Sequence, residues 1–221
     1  MLAPEPTGDS RMRAGDTIVG VLRVIWNTVL TVILRPVFFF QTMPKSGGFR
    51  TPFVFLLVVG LFDMLLLSLF EGVLMGPQKA LAFAGHALAL APLALTLSGF
   101  VLTTIFFVFW RLMGSSQTYE TSYRTFAYSY AISPVTTVIG FVPYFALLGF
   151  VWWFALLIIA SVYVHGINRI KATIVFTVLG LALMVFLNHA EHYALRHGLT
   201  QGLPHPGRPA SNKPVARSAR V

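Results

Sequence analysis

Forty consecutive residues, Thr125 to Val164, contain no Asp, Glu, Lys or Arg. A second uncharged run extends from Ala80 to Trp110. A helix needs about 20 mostly apolar residues to cross a hydrocarbon core of about 30 Å, so each run is long enough for one crossing or more. Composition agrees. Only 10% of residues are charged, against about 25% in soluble domains, which leaves too few ionic groups for a water-facing shell. An ordinary soluble enzyme is excluded, and lipid becomes the expected solvent. The chain has no cysteine, which removes disulfides, thiolate metal sites and thiol nucleophiles.

Dividing the apolar runs predicts five spans. Phe53 to Phe70 is interrupted only by Asp63 and continues past Glu71 to Met75, where Gly76-Pro77 stops it. The second crossing is placed near Leu88 to Trp110, with Ala80 to Ala87 as an interfacial lead-in. Gly140-Phe141-Val142-Pro143 breaks the longest run, because Gly and Pro punctuate helices. Its halves become helices near Tyr123 to Ile139 and Tyr144 to Val164. Ala172 to Ala190 forms the last span. Pro92 and Pro134 are expected to kink their helices.

Ahead of these spans, Asp16, Gly20, Arg23, Asn27, Thr31 and Arg35 recur every three or four residues. At 100° per residue they form one stripe, and Ile18, Val21, Leu22, Ile25, Trp26, Val29, Leu30 and Ile33 occupy the rest of the circumference. A wide apolar arc with a narrow basic stripe suits a helix lying in the membrane interface. Arg35-Pro36 ends it, and Phe38, Phe39 and Phe40 can wedge into the headgroup boundary. A cleavable signal peptide fits poorly, because the apolar region lies late and carries Arg23 and Asn27. The expected fold is therefore all-α: a polytopic membrane protein with five transmembrane helices behind an amphipathic interfacial helix. Residues 1–15 form a flexible lead, 16–51 the cytosolic interfacial region, 52–190 the transmembrane domain and 191–221 a basic, Pro-rich, disordered tail.

Sixteen Lys and Arg against seven Asp and Glu give a net charge of +9. In a membrane protein this excess sets orientation and meets anionic headgroups, so nucleic acid is not an expected partner. With five spans, Arg11, Arg13, Arg23, Arg35, Lys45, Arg50, Arg111, Arg124, Arg169 and Lys171 fall on the amino-terminal side, opposite Lys79 among the short loops. The amino terminus is expected in the cytosol and the carboxy tail across the membrane.

The order of elements is also familiar. An interfacial RPVFFFQTMP precedes the first span; YETSYRTFAYSYAISP opens the third helix; GFVPYF, a Trp-bearing helix and HGINRIKA follow. Over roughly Leu22 to Leu187 this resembles the Yip family, multi-pass proteins named for interaction with Ypt/Rab GTPases. The resemblance implies five helices, a cytosolic amino terminus and a short carboxy end on the other side. It also implies a role in trafficking or membrane shaping for eukaryotic members, whereas bacterial members mostly lack an assigned role. The short amino-terminal region argues against a GTPase-docking domain, and a prokaryotic inner-membrane member is the expected identity.

Two acidic residues stand out. Asp63 lies about 18 Å into the first span at 1.5 Å per residue, where a carboxylate is costly and defaults to a functional candidate. Ser98, Thr103, Tyr130 or Ser133 could satisfy it instead. A relay normally uses several ionisable groups, and one alone favours packing over transport. Glu71 should emerge at the far interface, within reach of His86 and Lys79. Arg23, Arg35, Arg111, Arg124, His165, Arg169 and Lys171 form a basic rim suited to orientation or lipid headgroups. Trp110, Tyr119, Tyr123, Tyr144 and Tyr163 read as interfacial anchors, and Trp152 and Trp153 as packed between helices. His189 and His192 are too few for a zinc site. Ala127, Ala131 and Ala160 permit close helix contacts, while Gly72 and Gly76 read as a helix stop. No phosphate-cradling loop, His-Glu-x-x-His or Gly-x-Ser-x-Gly motif occurs.

The expectation is a non-enzymatic membrane scaffold, adaptor or accessory subunit without a metal or cofactor. Its partners are anionic lipids and other integral membrane proteins or further copies of itself. The alternative is a small transporter or channel using Asp63.

Overall fold

The computed structural model describes residues 8–142 and 145–196; within them the side chains of residues 8–18 and some others, including Glu71, Lys79, His86, Glu191 and His192, are outside the description. The expected Glu71 pairing, most of the histidine group and the tail after residue 196 lie outside the described residues. The chain divides into two compact units, 1–180 and 181–221.

Every described regular element is helical. Helix α1 covers Gly8–Leu34 and α2 covers Pro36–Thr42. Proline restricts the residue before it to extended conformations, and Arg35 accordingly leaves the helical region. The two helices meet at 119° between Val19–Leu34 and Pro36–Thr42. Val29 and Val32 of α1 are buried, as is Phe40 of α2, whereas Arg23, Asn27 and Arg35 are exposed. Val19, Leu22, Trp26 and Leu30 are exposed too, so the bundle covers only part of the apolar arc.

Helix α3, Arg50–Met75, ends at Gly76, whose φ of 92° lies in the left-handed region that glycine enters without strain. Pro77 then opens α4, Pro77–Leu112, as suits a residue with no N–H to leave unpaired at a helix start. The pair packs antiparallel through two glycines. A Cβ at Gly60 would come within 2.6 Å of Leu95, and one at Gly99 within 2.8 Å of Leu56. Helix α4 runs unbroken through Pro92.

The expected third span, Tyr123 to Ile139, is divided. Helix α5 is Tyr119–Ser129; a 3₁₀ turn occupies Tyr130–Ile132; and α6 is Ser133–Gly140. Pro134 sits in the first turn of α6, where its missing N–H removes a bond a continuous helix would need. Nine consecutive residues of α5, Thr121 to Ser129, are buried on every side, placing a largely polar helix in the middle of the bundle. Its hydroxyls turn back on their own helix: Thr125 donates to Thr121 O at 2.9 Å and Ser129 to Thr125 O at 2.8 Å. Helix α7, Ala146–Tyr163, packs against α2, α5 and α6. Ala127, Ala131 and Ala160 are fully buried.

Helix α8 spans Arg169–Arg196, with the Asn168 side chain accepting from Ile170 N and Lys171 N. Within the first unit its Ala172 and Phe176 are buried. In the second unit, Leu181, Val185 and Phe186 are exposed.

By length and apolar content, 50–74, 88–112 and 169–186 suffice to cross a membrane, and the bent α1–α2 pair makes a fourth if it counts as one span. The two crossings expected between residues 123 and 164 do not meet that length singly, because the 3₁₀ turn cuts one and α7 is short.

Candidate functional site

The acid within α3 has its partners on the divided third segment. Asp63 is 6% exposed, and its carboxylate accepts from Ser133 Oγ and from Thr137 Oγ1, the latter at 2.6 Å. Four residues apart, the two hydroxyls share one face of α6. Of the other suggested partners, Ser98 donates weakly to Leu95 O at 3.4 Å, and Thr103 Oγ1 is buried without a partner.

At the opposite end of α5, Arg124 is 4% exposed and belongs to the interior, not to an outer rim. Its Nη2 donates to Gly48 O at 2.8 Å, and Nε pairs with Glu120 Oε1 at 3.3 Å. The same Glu120 oxygen accepts from Gly48 N at 2.7 Å, and Thr121 Oγ1 donates to Lys45 O at 2.9 Å. Three neighbouring side chains of α5 thus fasten the turn before α3. That turn needs left-handed backbone at Gly47 and Gly48, with φ of 120° and 81°. A Cβ on Gly47 would stand 3.0 Å from Arg124 Nη2.

A third cluster joins α4, α7 and α8. His165 is 5% exposed, and its ring stacks on Trp110 with centroids 4.0 Å apart. Trp110 Nε1 donates to Ser161 Oγ at 2.8 Å; Ser115 Oγ and His165 Nδ1 are 2.9 Å apart; Lys171 Nζ donates to Met113 O at 2.8 Å. Burial, with the Lys45 charge adding to it, pushes the His165 imidazole down to about 3. The group is therefore neutral near pH 7.

His165, like Arg124, is an internal strut. Arg23, Arg35, Arg111, Arg169 and Lys171 are exposed. Two expected anchors differ: Trp110 and Tyr123 are fully buried, because Trp110 bonds Ser161 of α7 and Tyr123 packs on Phe49, Leu56 and Phe100 instead of facing lipid. Trp153 packs against Phe106 and Phe154, whereas Trp152 is 41% exposed. The signals that sequence reading missed are local. They are the Glu120–Arg124 pair at helical i,i+4 spacing, the Gly47-Gly48 dipeptide that it fastens, and Thr137 one turn beyond Ser133.

Residues 30–188 match the Yip1 domain. The chain belongs to the Yip1 domain family. It is a multi-pass membrane protein, as its apolar helices require. No curated protein and no solved structure matches it. The Yip1 domain match begins inside α1 and ends inside α8, so Asp63, Arg124 and His165 all lie within it. Chemically, the three clusters share one property: each joins helices distant in sequence through a polar side chain bonded to carbonyls or hydroxyls.

Proposed function

We propose that this Yip1 domain protein is a non-enzymatic scaffold, adaptor or accessory subunit of a membrane assembly, with five crossings and α1–α2 lying as a wedge in the cytosolic interface. The observation that carries this reading is the use of its buried polar groups as struts: Asp63 binds α6 to α3, Arg124 holds the turn before α3, and His165 links α4 to the end of α7. The bend at Pro36 and the exposed Phe38 support the wedge. The exposed cations Arg23, Arg35, Arg111, Arg169 and Lys171 suit anionic headgroups. The setting we infer is a bacterial inner membrane, and the basic bias supports an amino terminus in the cytosol. A photoreactive residue at Phe38, activated in native membranes before extraction in mild detergent, tests the assembly. Cross-linking to another integral protein or a second copy is the expected result, and recovery only as an uncross-linked monomer overturns it.

A second reading, a small transporter or channel, is favoured by one feature. Asp63 faces a helix interrupted at residues 130–132, and interrupted helices beside an intramembrane ionisable group recur in transporters. Cation flux into proteoliposomes that is abolished by Asp63→Asn would establish it; absence of flux, or flux indifferent to that change, would remove Asp63 from any such pathway.

A further inference from the structure

Two grooves flank α1, and they differ in chemistry. Ile25 lines both and so separates them. On one side, about 590 Å³ is enclosed by aliphatic and aromatic residues alone, among them Leu22, Trp26, Phe62 and Val138. On the other side, about 630 Å³ is enclosed by α1, the first turns of α3 and Tyr128 of α5. Both volumes fall within the range of about 300–1,000 Å³ usual for small-ligand sites. Only the second has polar lining, from Thr28, Arg50, Thr51 and Tyr128, with Arg50 its one charge. Arg50 and Thr51 stand at the start of α3, and one helical turn further along lie Val54 and Phe55, facing Val21 and Val24 of α1. Among the described residues no acidic side chain pairs with Arg50, since Glu120, whose carboxylate serves the neighbouring turn, is already engaged by Arg124 and Gly48 N.

We propose that this second groove binds one anionic phospholipid, its phosphate at Arg50 and Thr51 and one acyl chain along Val21, Val24, Val54 and Phe55. A cation followed within one turn by aliphatic walls matches the head-to-tail polarity of an amphiphile. The all-apolar groove across Ile25 has no such direction. Of the cations at the basic end of the bundle, Arg50 alone lines this groove, and its charge favours a net negative headgroup over a zwitterionic one. This deepens the reading that the protein meets anionic lipid. It does not depend on a protein partner, so the two can fail separately.

The test uses the full chain in mild detergent, with phosphatidylglycerol and phosphatidylcholine added in equal amounts and bound lipid counted by native mass spectrometry. The wild type should retain phosphatidylglycerol over phosphatidylcholine by about five-fold, the weight of one interfacial cation. Arg50→Gln, at an exposed position, should abolish that preference with the melting temperature unchanged. Gly20→Phe should reduce retention of both lipids. A Cβ at Gly20 meets nothing within 4 Å, so the ring enters open groove without straining the fold. Arg50→Lys, which keeps the charge at the groove, should keep the preference. Equal retention of the two lipids by the wild type, or a preference that survives Arg50→Gln, overturns the proposal. So does unaltered retention in Gly20→Phe, or a loss in Arg50→Lys as large as in Arg50→Gln.

Discussion

Asp63 and Arg124 are both nearly removed from solvent, and they are satisfied in opposite ways: the carboxylate by two hydroxyls, the guanidinium by carbonyls and a glutamate. The planar fork of arginine reaches several acceptors that a lysine ammonium cannot reach together. Arg124→Lys should therefore cost about 1–3 kcal/mol, seen as a fall in the melting temperature of the detergent-purified protein, whereas Arg169→Lys on the exposed surface should change little. His165 gives a pH dependence. Its native imidazole is held near 3, and an unfolded one titrates near 6.5. The unfolded chain thus takes up the proton first. The stability that neutral His165 contributes is complete above about pH 6.5 and is lost as pH falls from there toward 3. Between pH 7 and 4 the melting temperature of the wild type should drop more steeply than that of His165→Phe, which keeps a ring against Trp110; parallel curves would refute this. Charged residues were legible in the sequence as residues but not as environments. Arg124 and Arg169 look alike there, and only the packing of the Gly47-Gly48 turn against α5 distinguishes the strut from the surface cation.

Helix boundaries written in local chemistry were the most legible elements. Pro36 ends α1, and Gly76-Pro77 separates α3 from α4, because a fixed proline φ and a left-handed glycine act on their own backbone whatever packs nearby. The centre of the bundle was not legible. An apolar run predicts a lipid-facing span, yet α5 carries Thr121, Ser122, Arg124, Thr125 and Ser129 and is buried by protein on all sides, an arrangement visible only once its neighbours are known. Close approach of α3 and α4 was equally hidden, since Gly60 and Gly99 lie far apart in sequence and look like ordinary interior glycines. Without a side chain at either, Leu95 and Leu56 fill the space. Gly60→Leu or Gly99→Leu should force the two helices apart at a cost of about 1–3 kcal/mol each, measured as lost thermal stability. Gly85→Leu is the control, as a Cβ there meets nothing within 4 Å.

At the scale of the molecule, the contacts that tie one end together constrain the path of the chain. Thr121 bonds to Lys45 O, Ser115 meets His165, and Lys171 reaches Met113 O. The turn before α3, the end of α4, the start of α5, the end of α7 and the start of α8 therefore lie at one end. Between residues 119 and 163 the chain leaves that end and returns to it, so this segment does not alter parity whether it crosses twice or turns back within the bilayer. The five crossings proposed above, or three if that segment turns back, make the number from residue 50 onward odd, and a crossing by α1–α2 would change only the side on which residues before Val19 lie. The many basic residues at this end suit the cytosolic face. A chain without cysteine allows a direct check. A single cysteine in place of Ser46, in the turn before α3, should react with a membrane-impermeant maleimide only after the membrane is opened, whereas one in place of Ser211 should react in intact spheroplasts. Equal reactivity of both in intact spheroplasts would place residues 46 and 211 on one side, require an even number of crossings between them, and contradict a last helix that leaves the basic end and does not return.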